Sequence, residues 1–127
     1  MKRTKKIMSA LAAGIIAVTG MVVNASADTK TGYLNGAFVS GSSNISSTTG
    51  SSSTNIEANT AVSVSGTYTW VNVYNLSTST STKNKTYMYT ASVSFTAPTN
   101  CRSVREVGSH SVSYSGQSWS ASTEAIY

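Results

Sequence analysis

The chain is short of most of what usually builds a reactive site: it has one cysteine, one histidine, one proline and four acids in 127 residues. With Cys101 alone, no internal disulfide can form, so stability rests on packing and hydrogen bonds. Unpaired cysteine is among the most buried residue types, so Cys101 reads first as an inert buried thiol and second as the link in an intermolecular disulfide. One histidine and one cysteine supply no metal-ligand cluster, and no metal is expected. No glycine-rich phosphate loop occurs, and no cofactor is expected.

The same scarcity argues against catalysis. His110 has no orienting aspartate except Asp28, serine is too common for proximity to mean anything, and no nucleophile-elbow motif is present. A triad would have to use a glutamate such as Glu124. A thiolate–imidazolium pair of Cys101 with His110 needs an activated thiol, and nothing around Cys101 marks one. Glu57, Glu106 and Glu124 could supply two carboxylates about 5–10 Å apart for glycoside cleavage, but three scattered glutamates read as surface residues. The expectation is a protein that is not an enzyme.

What the chain does have begins with a leader. Met1–Lys6 is basic, Ile7 to Val23 is apolar, and Asn24-Ala25-Ser26-Ala27 ends in a small-x-small site, the three parts of a bacterial secretory signal peptide cleaved after Ala27. An uncleaved membrane anchor is the alternative, since roughly 17–25 apolar residues span a bilayer. Cleavage is favoured by the glycines within the run and by the Ala-Ser-Ala site. The expected product is secreted and extracellular, with no membrane span left. Four of the nine basic residues (Lys2, Arg3, Lys5, Lys6) lie in the leader, so five remain against four acids and the net charge falls from +5 to +1. Nucleic acid is thereby excluded as a partner, because its recognition needs a basic footprint.

The remaining 100 residues suffice for one modest core. Tyr87, Tyr89, Ala91, Val93 and Phe95 alternate with mostly small polar residues, which predicts one half-buried strand. Val62, Val64, Gly66, Tyr68 and Trp70 alternate likewise, and the change of phase at Trp70-Val71-Asn72-Val73-Tyr74 predicts a bulge near Trp70 or a strand covered on both sides. Either places that strand near the centre of a sheet. Asn75 to Asn84 reads as a loop joining these two strands, with Trp70 opposite Tyr89 or Val93.

Asn35-Gly36 predicts a tight hairpin with Leu34 opposite Ala37 and Tyr33 opposite Phe38. Gly116-Gln117 predicts a second, with Tyr114 opposite Trp119 and Val112 opposite Ala121. Ser40 to Asn55 is almost all Ser, Thr, Gly and Asn around one Ile45, which predicts a mobile linker. Ala97-Pro98-Thr99-Asn100 is a break, and Cys101 to Val107 a short strand.

The organisation expected is a signal peptide over 1–27, an N-terminal hairpin and linker over 28–55, and an antiparallel domain over 56–127. The fold class is all-β, a small antiparallel sandwich of about six or seven strands. Most aromatics sit in the apolar phase of their strands and read as core. Trp70, Tyr74, Trp119 and Tyr127 are the candidate ligand-binding residues, as flat rings on a hydroxyl-rich sheet that could stack a sugar or meet a protein. The function expected is binding at a cell surface, an envelope glycan or a protein partner, and the alternative is a secreted bacteriocin-like antimicrobial or toxin.

Overall fold

The computed structural model describes residues 26–127. The leader, apart from Ser26 and Ala27, lies outside them. Eight strands follow in order: β1 (Ser26–Leu34), β2 (Ala37–Ile45), β3 (Thr49–Ile56), β4 (Ala61–Asn72), β5 (Thr78–Met88), β6 (Thr90–Thr96), β7 (Cys101–Tyr114) and β8 (Gln117–Ile126). They form two four-stranded sheets of order β1-β2-β3-β6 and β5-β4-β7-β8, with every neighbouring pair antiparallel. No helix occurs among the described residues. The architecture is the all-β sandwich expected, with more strands than the six or seven read from the sequence.

Both hairpin turns use paired positive-φ residues, which match the right-handed twist of the flanking strands. Asn35 and Gly36 (φ 47° and 82°) join β1 to β2 with Leu34 opposite Ala37 and Tyr33 opposite Phe38, as predicted. At the second hairpin the turn is Ser115-Gly116 (φ 52° and 82°), one residue earlier than expected. Tyr114 therefore faces Gln117 and Val112 faces Trp119, while Ala121 faces His110. The apolar face survives this shift because the register moves by two residues, which keeps every side chain on its own side. The two turns touch: Asn35 N donates to Gln117 Oε1 at 3.0 Å and Asn35 Nδ2 donates to the Ser115 carbonyl at 3.0 Å. Serine is a poor occupant of left-handed backbone, whereas asparagine tolerates it. Ser115→Asn is expected to stabilise by about 0.5–1 kcal/mol. A thermal melt checks it, and an unchanged or lower midpoint contradicts it.

The stretch read as one strand from Tyr87 to Phe95 is two, in different sheets. The chain leaves the second sheet after Met88 and enters the first at Thr90. Tyr89 makes the corner with φ 65°, held by its N–H on the Thr60 carbonyl at 3.0 Å and its carbonyl on the Ile56 N–H at 2.9 Å. Ala91, Val93 and Phe95 are buried as predicted, but Tyr87 and Tyr89 are 64% and 51% exposed. Burial alternates only on the β6 side of the corner, and on the β5 side Tyr87 and Met88 are both exposed.

Two segments expected to be loops are strands. Ser40 to Asn55 supplies most of β2 and β3, with Ser43, Ser52 and Thr54 buried, and Asn75 to Asn84 contains most of β5. A bulge does lie beside Trp70, but on the partner strand: Thr69 faces Arg105 and Trp70 faces Ser103, which leaves Val104 of β7 as the extra residue, while β4 stays in register with β5. Trp70 also faces Ser79, not Tyr89 or Val93, because its neighbours are β5 and β7. β4 is an inner strand, as expected. Cys101 to Val107 is the first half of a fourteen-residue β7.

The apolar core joins Leu34, Val39, Ile45, Ile56, Val62, Val64, Tyr68, Ala91, Val93, Phe95, Val112 and Ala125. Tyr68 is fully buried and stacks on Phe95 with ring centroids 5.4 Å apart. β1 lies over β8, where Lys30 Nζ donates to the Ser122 carbonyl at 3.1 Å and the Glu124 N–H donates to Asp28 Oδ2 at 2.9 Å. β5 overhangs the other margin, and Lys83 reaches back to the Ser94 carbonyl at 2.7 Å with its ammonium 5.0 Å from the Phe95 ring centre. These contacts cover sheet edges that carry little charge to repel a neighbour.

Candidate binding face and the polar chain beneath it

The period-two rule that sends Val62, Val64 and Tyr68 inward sends their neighbours out, and here the outward residues are nearly all hydroxylic. Across the second sheet, Thr86, Ser63, Ser111 and Ser120 stand in one row, and Asn84, Ser65, Ser109 and Ser122 in the next. Thr82 and Thr67 continue the array. Strand geometry sets the spacing, about 4.8 Å between strands and about 6.8 Å between successive outward residues. Some hydroxyls pair across strands, Ser63 with Thr86 at 2.8 Å and Thr67 with Thr82 at 3.1 Å, which orients them. The face is a shallow trough of about 450 Å³, and Lys85, opposite inward-facing Val64, points to the other side of β5 with its ammonium 5.7 Å from the Tyr87 ring centre. At the far end Arg105 Nε meets Glu124 Oε2 at 2.7 Å, an exposed ion pair of little energetic weight.

The four aromatic residues singled out from the sequence do not share a face. Trp70 is half-buried against Tyr68, with centroids 5.6 Å apart. Tyr127 is half-buried at the same end, where its N–H donates to the Val104 carbonyl. Trp119 faces Val112 at the opposite end, its indole packed on Gly32 so that a Cβ there would stand 2.5 Å from Nε1. Only Tyr74, on the β4–β5 loop, is free, at 79% exposure. Cys101 is a buried free thiol, so a bond to another chain would require that end of β7 to open. It lies nine residues from His110 on one strand, about 30 Å, which removes the thiolate–imidazolium pair.

Beneath the trough lies a feature that sequence reading missed. Glu106 and His110 both point inward from β7 and are 0% and 2% exposed. Three hydroxyls from three other strands connect them: Ser52 Oγ lies 2.5 Å from Glu106 Oε2, Ser43 Oγ 2.8 Å from Ser52 Oγ, and Thr123 Oγ1 2.6 Å from Ser43 Oγ. His110 Nε2 is 2.7 Å from Thr123 Oγ1, and Nδ1 is 2.8 Å from Thr54 Oγ1, which donates to the Ser63 carbonyl at 2.9 Å. Glu106 Oε1 has no partner. Glycine makes room for the chain: a Cβ on Gly108 would stand 2.7 Å from Ser43 Oγ and 2.8 Å from both His110 Nε2 and Ser52 Oγ. The alternation Gly41-Ser43-Ile45 and Gly50-Ser52-Thr54-Ile56 was the available signal, one small inward residue per layer with an apolar residue closing each strand.

Burial sets the electrostatics. It pushes the Glu106 carboxyl up to about 7, with the Ser52 hydrogen bond opposing the rise. It pulls His110 below its ordinary value, with Asp28 opposing and Lys30 reinforcing the shift. Tyr68 is raised, again first by burial, with its hydroxyl 2.6 Å from Ser103 Oγ. A protonated carboxyl and a neutral imidazole are the forms a dry interior tolerates. Both side chains are buried, and no group of three or more metal-ligating side chains occurs among the described residues.

Fold and site thus define an eight-stranded two-sheet β-protein with a hydroxylic outer face and a polar seam inside. No family model matches the chain, and no curated protein matches it. Among solved structures, one described as the X-ray structure of Northeast Structural Genomics Consortium target SoR45 aligns at 13% identity over 83% of this chain and 87% of that one, with a TM-score of 0.22. At that score the likeness bears on neither fold nor function.

Proposed function

We propose that this is a secreted, non-enzymatic bacterial β-domain that acts by binding, and that the outer face of the second sheet receives an envelope glycan. The observation that carries the reading is the registered array of Ser63, Ser65, Asn84, Thr86, Ser109 and Ser111 in a shallow trough. Hydroxyl and amide side chains both donate and accept, as sugar hydroxyls do, and a nearly uncharged face carries little ionic desolvation cost. Tyr74 is the one exposed ring of the four that could stack a sugar.

Co-sedimentation of the secreted protein with isolated cell walls tests the reading. Saturable pelleting that soluble wall polysaccharide competes away is expected, with at least a tenfold loss of affinity in Ser65→Lys/Ser109→Glu, whose bulky charges fill the trough. Pelleting unchanged in that variant overturns the assignment of this face.

The second reading, an antimicrobial or toxin-like protein, draws on the apolar ends of the sandwich, where Val73, Tyr74 and Leu76 are 42%, 79% and 73% exposed. Asn72 Oδ1 pins their turn by accepting from Tyr74 N at 2.8 Å and from Asn75 N at 3.2 Å. Killing of neighbouring cells without wall retention would favour it.

A further inference from the structure

The buried chain can be walked one hydrogen at a time. Thr54 gives its only hydroxyl hydrogen to the Ser63 carbonyl, so it accepts from His110, and Nδ1 carries a proton. Nε2 then either accepts from Thr123 or donates to it. If it accepts, each hydroxyl in turn must receive from the next: Thr123 from Ser43, Ser43 from Ser52, and Ser52 from a protonated Glu106 Oε2. If it donates, every link reverses and ends on a Glu106 carboxylate opposite an imidazolium. The two arrangements hold the same number of protons and differ by moving four of them one step each. The first is neutral throughout, and the second places a cation and an anion in a dry interior, one of them with an oxygen that has no donor.

We propose that Glu106, Ser52, Ser43, Thr123, His110 and Thr54 form a directional proton wire that locks Glu106 protonated and His110 in its neutral Nδ1–H form, and that loss of the Glu106 proton releases this lock between the two sheets. The wire crosses between the sheets three times, from β7 to β3, from β2 to β8, and from β7 again to β3 at Thr54. Each link therefore ties one sheet to the other or one strand to its neighbour. A carboxylate at the head would leave a charge buried and the sheets less firmly joined, so loss of the Glu106 proton loosens the fold above neutrality, while protonation of His110 opposes the lock at the acid end.

Among the described residues, Tyr68 on β4 is the titratable group that interacts electrostatically with Glu106, and Asp28 and Lys30 on β1 are those that act on His110. The inward residues of β2, β3 and β8 around the wire are uncharged, and β6 offers Val93 and Phe95, with Lys83 of β5 on the outer side of the Phe95 ring.

The test is the imidazole itself, read by nitrogen NMR on labelled protein. At pH 6 the native ring is expected to show a protonated Nδ1 and a bare Nε2. Ser43→Ala, which cuts the wire without touching the ring, leaves Thr54 fixing the Nδ1–H form and is expected to abolish the step in the His110 signals that accompanies Glu106 titration, while Ser42→Ala on the outer face leaves that step unchanged. A native ring protonated at Nε2 and neutral, or a His110 step that survives Ser43→Ala, overturns the proposal. Should Ser43→Ala fail to fold, the native titration decides: the Glu106 carboxyl is expected to titrate near 7 with a simultaneous step in the His110 ring signals. An ordinary carboxyl titration, or no response from His110, overturns it.

Discussion

A Gly41→Val protein is expected not to fold. Gly41 faces inward on β2, and an ideal Cβ there stands 2.3 Å from His110 Cγ and 2.7 Å from both Cδ2 and Nδ1. The ring cannot retreat, because Thr54 holds one nitrogen and Thr123 the other. Accommodating even one methyl means parting the sheets or breaking two hydrogen bonds of a group that is 2% exposed. Overpacking costs about 1–3 kcal/mol, and each stranded polar group adds about 1–3 kcal/mol. The sum, on the order of 5 kcal/mol, rivals the whole stability of a small domain. Circular dichroism during a thermal melt is the measurement, with loss of a cooperative transition expected. Ser42→Val, one residue away on the outer face, is the control and is expected to melt near the native temperature. If Gly41→Val melts within a few degrees of native, the packing of imidazole on bare backbone is wrong.

The second large effect appears only with pH. Burial raises the Glu106 carboxyl from 4.5 to about 7, so the folded protein keeps a proton that the unfolded chain gives up. The stability this group contributes is complete below 4.5, falls between 4.5 and 7, and is absent above. A difference of 2.5 pH units at 1.36 kcal/mol each corresponds to on the order of 3 kcal/mol. Glutamine keeps the shape and cannot ionise. Glu106→Gln is therefore expected to match the native protein near pH 4.5 and to exceed its stability at pH 8 by up to about 3 kcal/mol. His110 works in the opposite direction: its folded form prefers to be neutral, so its contribution is present above 6.5 and is lost as pH falls below that value. That limb lies at the acid end, so the two proteins are compared at pH 8, where His110 is neutral in each. Urea denaturation across the pH range measures the effect, and a difference that does not change with pH would refute the buried neutral carboxyl.

Both predictions rest on residues whose roles the sequence hid. Glu106 was one of three scattered glutamates, and a charged residue among serines reads as surface because solvent is where most carboxylates go. His110 gave no sign of a role in the sequence, and its partners Thr54 and Thr123 lie 56 and 13 residues away: pairing of β7 with β8 brings Thr123 within reach, and stacking of the two sheets brings Thr54. The Ser40 to Asn55 segment failed as a linker for a related reason. Its apolar content cannot offset the entropy of ordering, yet Ser43, Ser52 and Thr54 are satisfied by hydrogen bonds instead, which composition does not register.

What the sequence determined by itself is local. Alternation selected strands and their buried face over Val62–Trp70 and Ala91–Phe95, and Asn35-Gly36 selected a tight turn with its register. These depend on backbone geometry within a few residues, where chemistry along the chain suffices. The tertiary structure decided what depends on partners far along the chain: the corner at Tyr89, the assignment of β5 and β6 to different sheets, the separation of Trp70 from Trp119, and the meeting of Glu106 with His110 through three hydroxyls. A hydroxyl is indifferent between water and a well-placed acceptor. Only the stacking of two sheets settles which it meets.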